Sequence, residues 1–247
     1  MKVVLFFTDD EIPTNSNLDD IFDIFGNVYT FYSHVLRNSI KELIDIKLIR
    51  REHPLYYNYL ICNGTKLMEL LEQFQKLSLV EEKFCTRHLE QFKKLCFYAG
   101  KGINDRMFRH LINGKKIHQK LLKIKKVSAK YSKITQIWEN GEGVVIIRLF
   151  AENNHYEALS REYSLIKALK LNYLTNEISG SCYGAMKDSW NETEVINFGN
   201  MMLLNTLKMA VKDQPQILME HDVMLPNGRN KRESWELDGI LECFLDL

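Results

Sequence analysis

The chain has 247 residues, is 45% hydrophobic and carries a formal net charge of +1. That length is enough for one compact domain, or for a core plus a smaller lobe. The first apolar run, residues 3–7, gives way at once to acids and is too short for a signal-peptide core; no apolar stretch reaches the roughly 18 residues that a membrane span needs.

Near-neutrality conceals a strong asymmetry. From Lys93 to Lys133 the chain carries thirteen Lys/Arg and one acid, Asp105, so this segment is +12 and the remainder is −11. One intensely basic segment in a neutral chain suits a face that meets a polyanion. The five cysteines are odd in number and show no C-x-x-C spacing. They read as reduced intracellular thiols that fill core positions, with neither a zinc site nor a disulfide framework.

In chain order, residues 3–7 read as a short strand, and 19–25 and 33–49 as helices. Residues 1–54 form an N-terminal lobe closed by Pro54. Residues 56–62, Tyr-Tyr-Asn-Tyr-Leu-Ile-Cys, are aromatic and β-prone and read as a strand. Helices are expected over 67–77 and 81–89, and a second strand over 95–98. A turn at Gly100-Lys101-Gly102 makes it a plausible partner of the first. Residues 106–113 read as a helix ended by Gly114, and 117–137 as a long basic helical stretch, broken near Ser128. A turn at 138–143 leads to a third strand, 144–150. Helices follow over 157–171 and 197–211. Three strands with helices packed around them make a small α/β domain.

The stretch Leu95–Leu111 carries the strongest chemical signal. A strand, two glycines and a helix opening bring Tyr98, Lys101, Arg106 and His110 near one another, a device for gripping a phosphodiester. Here the chain resembles the GIY-YIG endonuclease superfamily, and within it the animal group that carries ankyrin repeats and a LEM domain. The second motif of the family reads Tyr98-Ala99-Gly100-Lys101-Gly102, followed by Arg106 and His110 on the helix. Downstream come Ile137-Trp138-Glu139-Asn140-Gly141-Glu142-Gly143-Val144-Val145, then Glu157-Ala158 with Arg161-Glu162, then Leu174-Thr175-Asn176, Gly180 and Tyr183-Gly184. The first motif reads Tyr57-Asn58-Tyr59, with no Gly-Ile before the tyrosine, and the interval to Tyr98 is longer than the family pattern. The resemblance covers residues 56–190.

It implies an α+β fold with a small three-stranded antiparallel sheet flanked by helices. The nuclease domain would span 55–190, between the N-terminal lobe and a C-terminal helical extension over 191–247. It implies a metal-dependent endonuclease that hydrolyses DNA phosphodiesters, with a preference for branched or distorted DNA, working inside the cell in nucleus or cytoplasm. Glu162 would hold Mg²⁺ or Mn²⁺, which takes few protein ligands and keeps its waters. Arg106 would steady the scissile phosphate with its planar guanidinium. Tyr59 would accept a proton from water, with Tyr98 lining the site and His110 shuttling protons or touching phosphate. Lys101 would reach phosphate from the glycine turn, and Asn176 would orient the site or bind phosphate. Arg109, Lys115, Lys116, Lys120 and Lys123 would straddle neighbouring phosphates, giving salt-sensitive affinity without base readout. The rival reading keeps the fold as a catalytically impaired nucleic-acid-binding or scaffold module, through the altered first motif.

Overall fold

The computed structural model describes residues 18–46, 48, 55–77, 86–121 and 126–225. The strand expected over 3–7 lies outside them. Helix α1 (Leu18–Asp45) comes first, then β1 (Tyr56–Asn63), α2 (Gly64–Leu77), α3 (Thr86–Leu95) and β2 (Cys96–Gly102). Next are α4 (Arg106–His118), α5 (Ala129–Glu139), β3 (Val144–Asn153), α6 (His155–Leu169), α7 (Ala185–Asp188) and α8 (Glu192–Asp213). The strands form one antiparallel sheet in the order β2-β1-β3, the mixed α/β architecture expected.

Strand β1 is central and buried along nearly its whole length, which is why it reads as an unbroken aromatic and aliphatic run. Its side chains alternate between two cores. Leu60 and Cys62 face the larger one, with Leu36 and Ile40 of α1, Leu71 of α2, Leu165 of α6 and Phe198 of α8. Segments 1–54, 55–190 and 191–247 thus all contribute to a single apolar core. Each such aliphatic side chain contributes about 1.5–3 kcal/mol on burial. Tyr57, Tyr59 and Ile61 face the other way, onto Met107 and Leu111 of α4 and Ile134, Ile137 and Trp138 of α5. Cys62 and Cys96 stand opposite each other as buried free thiols with Sγ atoms 3.2 Å apart.

Several expected boundaries move, each for a local reason. Residues 100–102 are not a turn but the end of β2. Gly100 pairs with Tyr59 and Gly102 with Tyr57. A Cβ at Gly100 would fall 2.8 Å from the Tyr59 ring and from Tyr98, and one at Gly102 would fall 3.0 Å from the Tyr57 ring. The glycines let tyrosine rings lie across the strand. Gly114 does not end its helix: α4 runs through it to His118, and the glycine leaves room for α5, since a Cβ there would meet Ile134 at 3.0 Å. The break expected near Ser128 is where α5 begins, directly after that extended residue, while residues 117 and 118 belong to the end of α4. The two helices expected over 19–25 and 33–49 are one, α1, whose sequence holds no proline. Helix α8 starts earlier than expected because Asn191 and Glu194 form a reciprocal capping box.

Candidate active site

The β1–β2 ladder and the first turns of α4 build the site. Tyr57 joins them: its hydroxyl donates to the Asn104 carbonyl at 2.6 Å and accepts the Met107 N–H at 3.3 Å. This pins the start of α4 against β1 and fixes where Arg106 and His110 stand. His110 points inward, and its Nε2 lies 2.7 Å from the Tyr59 hydroxyl. The Tyr98 ring closes the group, with centroids 6.0 Å from Tyr59 and 5.4 Å from His110. Tyr59 has no solvent exposure. Tyr98 is half-buried and is the tyrosine of the pair that reaches the surface.

The charges of Arg106 and Glu162 act on both Tyr59 and Tyr98, so all four groups share one locality. Burial raises the Tyr59 hydroxyl above its ordinary value, with Tyr98 and Glu162 adding to the rise and Arg106 opposing it. Tyr98 is raised by burial and by Glu162, and lowered by its hydrogen bond with Tyr59 and by Arg106. Burial, then the cations Lys130 and Arg106, push His110 down to about 3. The imidazole is therefore neutral at physiological pH, and its buried Nδ1 has no hydrogen-bond partner among the described residues.

A pH effect follows. An unfolded chain protonates His110 near pH 6.5, whereas the folded site resists protonation down to about pH 3. The unfolded state binds more protons in that window, so the stability present above pH 6.5 is lost as pH falls towards 3. Urea unfolding at pH 7 and pH 4.5 should show a smaller acid loss for His110→Gln than for the unmodified chain. Equal losses would mean that His110 is not held neutral.

Glu162 comes to the site from α6, whose start is fixed by the Asn154 side chain accepting the Glu157 N–H. Glu157 and Arg161 of the same helix turn the other way and are buried together, so Glu162 is the carboxylate that faces Arg106. Burial raises its carboxyl, while Lys101, Arg106, the Lys101 backbone N–H and Lys130 oppose the rise. Among the described residues no group of three or more His, Cys, Asp and Glu side chains gathers as a metal cage. One half-buried carboxylate that pays for desolvation fits a hard dication that retains most of its waters, so the residues present fit Mg²⁺ or Mn²⁺ in that form.

The remaining expected residues divide. Lys101 offers its backbone N–H to Glu162, while its Nζ lies 3.4 Å from His155 Nδ1 and 4.7 Å from the Tyr56 ring centroid. Asn176 spends both amide atoms on Ala99, accepting its N–H at 3.1 Å and donating to its carbonyl at 2.7 Å. With Thr175 N–H on Phe97, it covers the outer edge of β2; of its two expected roles, this geometry supports orientation. Arg109 is exposed and paired with Asp105 at 2.9 Å. Lys116 continues from Arg106 and Arg109 at helical spacing along one side of α4, whereas exposed Lys120 lies just past the end of the helix, in a left-handed conformation with φ 56°. Lys115 turns away, donating to the carbonyls of Glu220 and Val223 at 2.9 and 2.8 Å. Lys123 lies outside the described residues.

Two cations were not singled out by sequence. Lys130 of α5 places Nζ 4.1 Å from the Tyr98 ring centroid. Arg148 of β3, the cross-strand partner of Tyr59, lies 4.6 Å from the Tyr57 ring centroid. Nothing in sequence separates Lys130 from the other bases of its segment, and Arg148 looks like an ordinary strand arginine.

The family described as LEM-3-like GIY-YIG domain matches residues 56–225. A Caenorhabditis elegans ankyrin repeat and LEM domain-containing protein 1 homolog is 32% identical over 124 residues, covering 49% of this chain and 18% of that protein. The mouse ankyrin repeat and LEM domain-containing protein 1 is 28% identical over 167 residues, covering 68% of this chain and 30% of its own length. The human protein of that name is 27% identical over 168 residues, covering 68% of this chain and 26% of its own. The chain thus spans less than a third of the length of these relatives. No solved structure matches it.

Proposed function

The chain belongs to the LEM-3-like GIY-YIG domain family, and from that premise we propose that it is a metal-dependent endonuclease that hydrolyses DNA phosphodiester bonds, with branched or distorted DNA as its preferred substrate. Nucleases of this family generally use a divalent metal. The observation that carries the reading is the convergence of Tyr59, Tyr98, Arg106, His110 and Glu162, drawn from two strands and two helices, on one locality.

Arg106 is exposed and cationic, so it meets the scissile phosphate and steadies the charge that builds on it. Glu162 would hold Mg²⁺ or Mn²⁺, which supplies Lewis-acid polarisation of the phosphate when bound. Tyr98 faces the attacking water, and Tyr59 behind it relays the proton. His110 is neutral, and its Nε2 shares a hydrogen bond with the Tyr59 hydroxyl that holds that tyrosine in place behind Tyr98. Arg106 opposes the rise that burial imposes on both tyrosines.

The side of α4 leading from Arg106, with the turn that follows the helix, supplies the phosphate track. Substituting Lys116 or Lys120 with Ala should weaken DNA binding on all sequences and reduce the slope of log affinity against log salt by about 1 each. Lys115→Ala should leave that slope unchanged and lower the melting temperature instead, since its ammonium is held by backbone carbonyls. Fluorescence anisotropy across a salt series separates the two. Tyr173 and Ile178, both largely exposed, flank the segment that Thr175 and Asn176 fix to β2. Aromatic and apolar side chains of this kind stack on bases that a branch point has unpaired.

The test is nicking of labelled four-way, flap and plain duplex DNA with Mg²⁺ or Mn²⁺. Cleavage that favours the branched forms supports the reading. Tight DNA binding with no cleavage under any metal would favour the binding module instead.

A further inference from the structure

We propose that Lys130 is a positioning residue of this site: its ammonium clamps the face of Tyr98 and supplies the positive charge against which that tyrosine exchanges its proton. The proposal rests on the nuclease reading above. Lys130 stands in the first turn of α5, and α5 is anchored to the sheet through Ile134, Ile137 and Trp138. From there Nζ reaches 4.1 Å from the Tyr98 ring centroid and 5.4 Å from that of Tyr131. Both fall within the roughly 6 Å over which an ammonium is attracted to a ring face.

The setting differs from that of a lysine that tracks a nucleic acid backbone. Lys130 is half-buried, whereas Lys120 and Lys126 are exposed. Its charge acts on His110, and the carboxylates of Glu162 and Glu177 and the guanidinium of Arg106 act on it. It therefore sits among the groups that the chemistry uses. A cation over one face favours the ring orientation that it contacts. Negative charge that develops on the Tyr98 oxygen is also offset from that face. A displacement of about 1 Å in such a group costs on the order of 100-fold in rate.

The experiment compares Lys130→Met, which keeps the length and apolar body of the side chain, with Lys130→Arg, which keeps the cation over the ring. Single-turnover cleavage of a four-way junction with Mg²⁺ is measured together with junction binding in Ca²⁺. The expected result is a loss of about 100-fold in the cleavage rate for Lys130→Met, with affinity within about 2-fold of the unmodified chain, and recovery of most of the rate in Lys130→Arg. Unchanged cleavage in Lys130→Met overturns the proposal. So does a loss confined to binding, which would make Lys130 one more phosphate contact. A second readout needs no activity. The ε-methylene protons of Lys130 should be shifted upfield by ring current in NMR spectra, and Tyr98→Leu should remove most of the shift, leaving the smaller part due to Tyr131. If the unmodified chain cleaves nothing, the nuclease reading falls, and the absence of that shift overturns the clamp separately.

Discussion

Replacing Glu162 with Gln is expected to reduce metal-dependent cleavage by about 1,000-fold, the upper end of what one preorganised electrostatic group contributes, without weakening DNA binding in EDTA. Glutamine has the same shape and can still accept the Lys101 N–H, so the local structure is preserved. It cannot hold a dication. The substitution also removes a negative charge from a locality that contains Lys101, Arg106 and Lys130, so affinity for polyanionic DNA should hold or rise. Stability supplies an independent check. The Glu162 carboxyl is raised by burial, so its charged form is disfavoured in the folded state. A raised carboxyl contributes stability that is fully present below its unfolded value and is lost as pH rises through the folded one. At neutral pH, Glu162→Gln should therefore melt no lower than the unmodified chain, the usual pattern when an active site is tuned for chemistry at some cost in stability. Arg106→Ala should lose about 100- to 1,000-fold in cleavage and, unlike Glu162→Gln, should also weaken DNA binding. Wild-type cleavage by Glu162→Gln with Mg²⁺ would sink the metal assignment.

Much of this site was legible because it lies in contiguous motifs. Tyr98, Arg106 and His110 fall within one short stretch, and strand, loop and helix bring them together locally, while Lys101 of the same stretch sends its ammonium to His155 and Tyr56. Glu162 was legible only through the ordered motifs around it. Composition alone could not separate it from Glu157, and the structure does so by turning Glu157 into the core beside Arg161. The glycines misled the reading because two physical reasons for glycine look alike in one dimension. Gly100 and Gly102 make room for cross-strand tyrosines, and Gly114 makes room for a neighbouring helix, although each resembles a turn or a stop. The lysines misled it likewise. Lys115, Lys120 and Lys130 belong to one basic segment, yet one caps backbone carbonyls, one faces solvent and one lies on a tyrosine ring. Only the packing of α4 and α5 against the sheet, a long-range property, separates them. Asn176 shows the same limit, since its partner Ala99 is remote in sequence and meets it only at the edge of β2.

On the opposite side of α6, Arg161→Ala should destabilise the fold by about 3–5 kcal/mol, the range for breaking a buried ion pair from one side. Arg161 and Glu157 are 1% and 2% exposed. Arg161 donates from Nε and Nη2 to Glu157 Oε1 at 3.2 and 2.8 Å, and from Nη1 to the Tyr29 hydroxyl at 2.9 Å. Its guanidinium lies 4.8 Å from the Phe150 ring centroid and 5.5 Å from that of Phe198. One side chain therefore ties α6 to α1, β3 and α8. Removing it strands the Glu157 carboxylate. The other cation in reach, Arg37, makes a longer contact of 3.3 Å and is 62% exposed, so it compensates poorly. Replacing both partners together, as in Glu157→Leu with Arg161→Met, should recover most of the loss, because no charge is then left unpaired in the core. Urea unfolding of the two single variants and the double variant forms a mutant cycle that isolates the pair. A cost below about 1 kcal/mol for Arg161→Ala would place the pair with ordinary surface ion pairs. At temperatures where the variant remains folded, its cleavage rate should match the unmodified chain, because the pair supports the helix that carries Glu162 from behind and touches none of the groups around Tyr98.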